Sequence, residues 1–197
     1  MRSLYILFLA TLFSACSSAP PVPVDHFYRL TLDTQEISSQ ELSEDGIYVE
    51  YFIAEGLYNE RALLYTGKSG IDELQQYHYH FWITSPPRLL HDNLVRFLRE
   101  TNTTSVIMTE PVLDKGIRIA GKLNAFERWN TGDQSLVNIA LELKAQKIDE
   151  GGLLLLKEYQ IREEVQGEGI PAVVAAFNRA VLQIYSDFLL DLQSKLR

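Results

Sequence analysis

The spacing of apolar residues changes several times along this chain, and each change marks a structural element. Phe27–Leu32 and Ile47–Ala54 have strand character, the second placing Ile47, Val49, Tyr51 and Ile53 on one face by alternation. Arg61–Thr66 is a weaker strand closed by Gly67, and Gln76–Ile83 is an aromatic one. Ser85-Pro86-Pro87 then supplies an N-cap residue and prolines in a first helical turn, where a missing N–H costs little. A helix to about Glu100 follows, with Leu90, Leu94, Phe97 and Leu98 on one face at three- and four-residue spacing.

Strand patterns return at Ser105–Thr109, Ile117–Trp129, Leu136–Lys147 and Leu153–Val165, separated by Gly116, Thr131-Gly132-Asp133 and Glu150-Gly151-Gly152. Ile117, Ile119, Leu123 and Ala125 alternate with polar neighbours, as do Val137, Ile139, Leu141 and Leu143, which predicts an antiparallel meander with one wet face. A closing helix begins at Pro171 and carries Val174, Phe177, Val181, Ile184, Phe188, Leu192 and Leu196 as one apolar stripe. The fold class expected is α+β: a single two-layer domain in which a mostly antiparallel sheet packs against two main helices.

The first 15 residues do not belong to that domain. Arg2 precedes an apolar run from Leu4 to Phe13 that ends in small residues, the layout of an export signal. A spanning helix needs about 20 apolar residues, and this run meets Ser14, Ser17, Ser18 and a proline cluster too soon. Leu12-Phe13-Ser14-Ala15-Cys16 resembles a lipobox, with Phe13 where leucine is usual, and Cys16 is the one cysteine of the chain. That resemblance implies cleavage before Cys16, a diacylglyceryl group on its thiol and an acyl chain, commonly palmitate, on the new amino terminus. Several acyl chains anchor a protein durably where one does not. Ser17 in the next position, where Asp would favour inner-membrane retention, points to the outer membrane. Residues 16–24 then read as the lipidated cysteine and a semi-rigid proline-rich spacer, and residues 25–197 as the domain.

Composition narrows the partners. With 46% hydrophobic residues the domain can bury a sizeable core, and without a second cysteine it must be held by packing rather than disulfides. A formal charge of -8 and the lack of a basic stripe argue against nucleic acid and against electrostatic attraction to anionic headgroups.

Several short motifs suggest chemistry without completing it. Ala62 to Ser69, ending Thr-Gly-Lys-Ser, has the loose form of a phosphate-binding loop, but Leu63, Leu64 and Tyr65 are too bulky to wrap a phosphate. Gly167-Glu168-Gly169-Ile170-Pro171-Ala172 imitates a dinucleotide fingerprint, yet no strand follows its helix, and Glu168 would oppose a pyrophosphate. His78 and His80 would share a strand face, but a metal site lacks a third local ligand, and His26 and the His91-Asp92 pair would have to fold close. Gly67-x-Ser69 has Ile71 where a nucleophile elbow needs glycine. No catalytic set, resident metal or cofactor is expected beyond the covalent lipid on Cys16.

Six of the ten tyrosines lie between Tyr48 and Tyr79, and Tyr77–Trp82 places aromatic groups on both faces of one strand. Tyr77, Tyr79, Phe81 and Trp82 are therefore candidate interface residues, or else a strand buried within the monomer, since aromatic side chains serve both roles.

The layout as a whole resembles the ABC-type transport auxiliary lipoprotein family, most closely its PqiC-like members. Asp25-His26-Phe27-Tyr28-Arg29-Leu30 looks like the family's opening strand, and Trp82 with Pro86-Pro87-Arg88-Leu89-Leu90 like its Trp-x-x-x-Pro entry into a leucine-rich helix. Leu123-x-x-Phe126-Glu127 and Val173-Val174-x-x-Phe177 complete the resemblance. It implies a non-enzymatic lipoprotein at the periplasmic face of the outer membrane, working in intermembrane lipid transport. Its partners would be a periplasmic MCE-domain protein and an inner-membrane transport component, and a ring-forming partner fits a homo-oligomer. Two other readings are a module that carries an acyl chain in its own pocket and an envelope hydrolase, for which the residues offer no nucleophile and base.

Overall fold

A computed structural model of the chain describes residues 22–35, 37, 41–67, 70, 72–131 and 134–196. The expected signal peptide, Cys16, Ser17 and the spacer as far as Pro21 lie outside the described residues. The elements are β1 (His26–Tyr28), β2 (Ile47–Val49), β3 (Ile53–Ala54), a 3-10 turn (Gly56–Asn59), β4 (Ala62–Thr66) and β5 (Leu74–Trp82). There follow α1 (Pro86–Glu100), β6 (Ile107–Met108), β7 (Ile117–Thr131), β8 (Gln134–Lys147), β9 (Leu153–Glu164) and α2 (Gly169–Leu196).

The long strand β7 organises the sheet. One edge pairs antiparallel with β8, from Ile117 opposite Lys147 to Thr131 opposite Gln134, and β8 pairs antiparallel with β9. The other edge receives three short strands in series, all parallel: β2 at Ile117–Ile119, β3 at Lys122–Leu123 and β4 at Glu127–Arg128. Beyond β2 lies β6, parallel; beyond β4 lies β5, antiparallel, and then β1, parallel to β5.

The α+β class therefore holds, but the sheet is not mostly antiparallel. Among the described strands, parallel pairings outnumber antiparallel ones five to three. The hairpin succession β7-β8-β9 is antiparallel, as the alternation predicts. The strands before it reach β7 only after the chain has crossed back through α1, and such crossovers give parallel neighbours.

Two one-residue irregularities decide which side chains enter the core. Val49 pairs with Ile119 but Ile53 with Lys122, a slip of one residue relative to β7. A slip of one reverses the faces, so Ile47, Val49 and Phe52 are buried, whereas Tyr51 and Ile53 are exposed and do not continue the expected stripe. Phe52 fits because residue 121 is glycine: a Cβ there would lie 2.7 Å from the Phe52 ring. Within β7 the register shifts between Leu123 and Ala125, leaving Asn124 as the bulged residue. Phe126 rather than Ala125 then continues the buried series Ile117, Ile119 and Leu123 in the main core cluster.

The helices close that core. Pro86 and Pro87 occupy the first two positions of α1, while Ser85 sits at the N-cap without a side-chain capping bond. The α2 stripe from Val173 to Leu192 is buried, with Val174 and Leu196 at its margin. By length and composition α2 could cross a bilayer, yet its apolar stripe is already packed in this core. Tyr185 ties the helices together by donating from Oη to the Leu90 carbonyl at 2.7 Å.

Candidate interaction surface

The aromatic strand β5 begins where β4 ends, and its pairing sets the fate of each ring. Leu64 faces Gln76, but Ala62 faces Phe81, so extra residues of β5 are accommodated between these pairs. Tyr79 lies in that stretch at φ 57, the left-handed region in which a side chain is strained. The four aromatic residues singled out in the sequence therefore do not form one surface.

Trp82 is 1% exposed and belongs to the core. Its ring lies 5.2 Å from both Phe126 and Phe177, with those two 4.4 Å apart, and its backbone N–H donates to the Arg61 carbonyl at 2.7 Å. Trp82 is thus not an interface residue but the centre of an aromatic triad spanning β5, β7 and α2, the buried alternative of the two expected for this strand. Tyr77 is half-buried, packs with its ring tilted against Tyr65 at 4.4 Å between ring centres and accepts a 2.8 Å hydrogen bond from Arg128 Nη1. Tyr79, 47% exposed, and Phe81 remain near the surface.

Phe81 lies 5.8 Å from Phe27 of β1, and the Arg61 guanidinium sits 5.3 Å from the Phe27 ring centre. Asp25, Glu60, Arg61, Gln76 and these two rings line an open groove of about 340 Å³. The opposite side chains of β1 and β5 form a second aromatic group. His26 stacks on His80 with ring centres 5.1 Å apart, and Tyr28 Oη lies 2.9 Å from His80 Nδ1. Partial burial, followed by the neighbouring His26 charge, lowers the His80 pKa, and partial burial raises that of Tyr28.

His78 does not join His80: it neighbours Tyr79 instead. His91, the other imidazole considered as a metal ligand, is buried on α1 with Nδ1 2.8 Å from Asp92 Oδ1 and Nε2 3.3 Å from the Val49 carbonyl. Among the described residues, no three His, Cys, Asp or Glu side chains converge. Of the phosphate-loop imitation, Ala62–Thr66 is strand β4, while Lys68 and Ser69 lie outside the described residues.

One polar cluster escaped the sequence reading. Glu127 is 4% exposed, and its carboxylate accepts hydrogen bonds from Trp129 Nε1, Asn138 Nδ2 and the Phe126 N–H at 2.8, 2.7 and 2.9 Å. Tyr58 also hydrogen-bonds Glu127, and burial together with that carboxylate raises the tyrosine pKa strongly. Glu127 lies opposite Leu64 where β4 pairs with β7, and Tyr58 comes to it from the 3-10 turn that connects β3 to β4. The sequence marks it faintly, because Glu127 is followed at once by Arg128 and nothing local shows which of the two is buried.

Comparison with known proteins places this geometry. A family model described as "ABC-type transport auxiliary lipoprotein component" matches residues 61–187. The chain belongs to this family. Members are described as auxiliary lipoprotein components of ABC-type transport. Solved structures share the fold seen here. Protein XCC0632 from Xanthomonas campestris has a TM-score of 0.72 at 17% identity, covering 83% of this chain and 92% of that one. An uncharacterized protein has a TM-score of 0.68 at 14% identity, covering 84% and 97%. The hypothetical protein CT253 from Chlamydia trachomatis has a TM-score of 0.52 at 6% identity, covering 77% and 99%. At these identities the likeness establishes the fold alone. No curated protein sequence matches the chain.

Proposed function

We propose that this auxiliary lipoprotein is anchored in the outer membrane through lipid on Cys16 and docks a periplasmic MCE-domain protein, supporting lipid transfer between the membranes. The family match over residues 61–187 carries the reading, because it makes the chain a lipoprotein component of an ABC-type transport system. The sequence around Cys16 supplies the tether, and Ser17 favours the outer rather than the inner membrane. The fold supports docking rather than carriage. The grooves beside β1 and β5, and beside the 3-10 turn and β7, are open and mixed in polarity, unlike the enclosed apolar cavities that hold small ligands.

The test combines metabolic labelling with affinity capture. The wild-type chain should incorporate a labelled fatty acid and fractionate with the outer membrane, and Cys16→Ala should do neither. Capture of cross-linked wild type from envelopes should recover the MCE-domain protein and the inner-membrane component. An unlabelled wild-type chain overturns the anchor, and capture without an MCE-domain protein overturns the docking role. A phospholipid retained stoichiometrically in native mass spectrometry of the delipidated chain would instead establish a carrier.

A further inference from the structure

The spacer enters the fold at β1, an edge strand whose described pairing is with β5 alone. Beside it, Val22, Val24, Phe27, Tyr79 and Ile83 are all exposed, Phe27 at 56%. Phe27 adjoins Phe81, and the Ile83 N–H donates to the Tyr28 carbonyl at 2.8 Å, so β1 and the end of β5 bring these apolar residues into one corner. The groove in that corner offers charges of both signs, Arg61 beside Asp25 and Glu60.

We infer that this corner rests on the membrane, with Phe27 and Ile83 at the headgroup boundary of a zwitterionic phospholipid surface. The inference depends on the anchoring of Cys16 proposed above. From Cys16 to Asp25 the chain can span at most about 30 Å, at the roughly 3.3–3.6 Å per residue of an extended backbone. The tether therefore confines β1, before any other element, to the neighbourhood of the bilayer. Aromatic side chains favour the membrane–water boundary. A zwitterionic headgroup carries a phosphate for Arg61 and an ammonium for Asp25 and Glu60, whereas an anionic surface would repel a chain of net charge -8. The opposite edge, β9, lies five strands away along the path β1-β5-β4-β7-β8-β9, about 24 Å at the usual strand spacing. That edge faces away from the lipid.

Full-length lipidated protein, reconstituted in phosphatidylethanolamine–phosphatidylcholine vesicles, tests the inference through depth-dependent quenching by a phospholipid brominated near its headgroup. The variants Phe27→Trp and Ile83→Trp report on the corner, and Leu190→Trp on an exposed position of α2. Relative to the parent, the tryptophans at 27 and 83 should lose about half of their added emission and shift to the blue, as expected for side chains buried at the acyl boundary. The one at 190 should do neither. Equal quenching at 27, 83 and 190, or none at any of them, overturns the corner as the membrane contact. If the parent fails to float with the vesicles, the anchor itself fails and this inference falls with it. Flotation without selective quenching leaves the anchor standing and removes only the orientation.

Discussion

Asn138 donates from Nδ2 to Glu127 Oε1 at 2.7 Å, joining β8 to β7 on the face that carries Trp129. The carboxylate has no ion-pair partner among the described residues, and neutral donors satisfy it instead. Glu127→Gln keeps the size but replaces one acceptor oxygen by an amide donor. That donor would face either the Phe126 N–H or the Trp129 and Asn138 donors. A loss of about 1–3 kcal/mol is expected, as for a buried polar group left unpaired. Urea unfolding should show a lower midpoint with an unchanged slope.

Trp82 should behave as a core residue in experiment. Truncating a buried Trp or Phe costs about 3–5 kcal/mol, so Trp82→Ala and Phe177→Ala should each lower the melting temperature severely. Tyr79→Ala removes a partly exposed ring and should change it little. A normally stable Trp82→Ala protein would contradict the triad of Trp82, Phe126 and Phe177.

The contrast between these positions shows what the sequence could reveal. Trp82 and Tyr79 stand three apart in one aromatic run, and periodicity could not separate them, because the irregular β4–β5 pairing intervenes. The order of strands and helices was legible, since spacing of 2.0 or 3.6 is written locally. The Asn124 bulge and the slip between Val49 and Ile53 were not, since each depends on a distant partner strand. The parallel attachment of β2, β3 and β4 to β7 was hidden for the same reason. Of the interaction surface, the aromatic composition was visible, but the approach of Phe27 to Phe81 required the pairing of β1 with β5.

The β1–β5 corner should be sensitive to mild acid. Partial burial and the His26 charge lower the pKa of His80, whose other close neighbours are Tyr28 and Tyr77. The unfolded imidazole binds a proton near pH 6.5, and the folded one binds it less readily. Stability therefore falls as pH drops through about 6.5 and levels off below the folded pKa. Hydrogen-exchange protection factors at β1 and β5, taken relative to the intrinsic rate at each pH, should fall over that interval, and His80→Gln should flatten the response.

A second acid dependence lies lower, at the junction of β9 and α2. Asp191 Oδ2 accepts from Lys157 Nζ at 2.7 Å and from Tyr159 Oη at 2.8 Å. The lysine bond is the main cause of its lowered pKa; partial burial opposes it, and the tyrosine bond adds to the lowering. A lowered carboxylate pKa stabilises the fold above the ordinary value of about 3.9, and that contribution is lost as pH falls through the folded pKa. Asp191→Asn should reduce stability at neutral pH and remove this part of the acid transition. The pair is partly exposed, so added salt should weaken the effect.

Gly121 and Phe52 test the origin of the slip between β2 and β3. The Phe52 ring reaches the core only because Gly121, paired with Leu143 on β8, has no side chain. Gly121→Ala puts a methyl group 2.7 Å from that ring, inside van der Waals contact, and the ring must move. The expected cost is about 1–3 kcal/mol, as for other overpacked cores. In a Phe52→Ala background, which lacks the Cγ and Cδ atoms nearest the new methyl group, the same Gly121→Ala change should cost much less. A double-mutant cycle on thermal or denaturant unfolding measures that coupling directly. Additive single effects would mean that residue 121 is glycine for some reason other than the approach of Phe52.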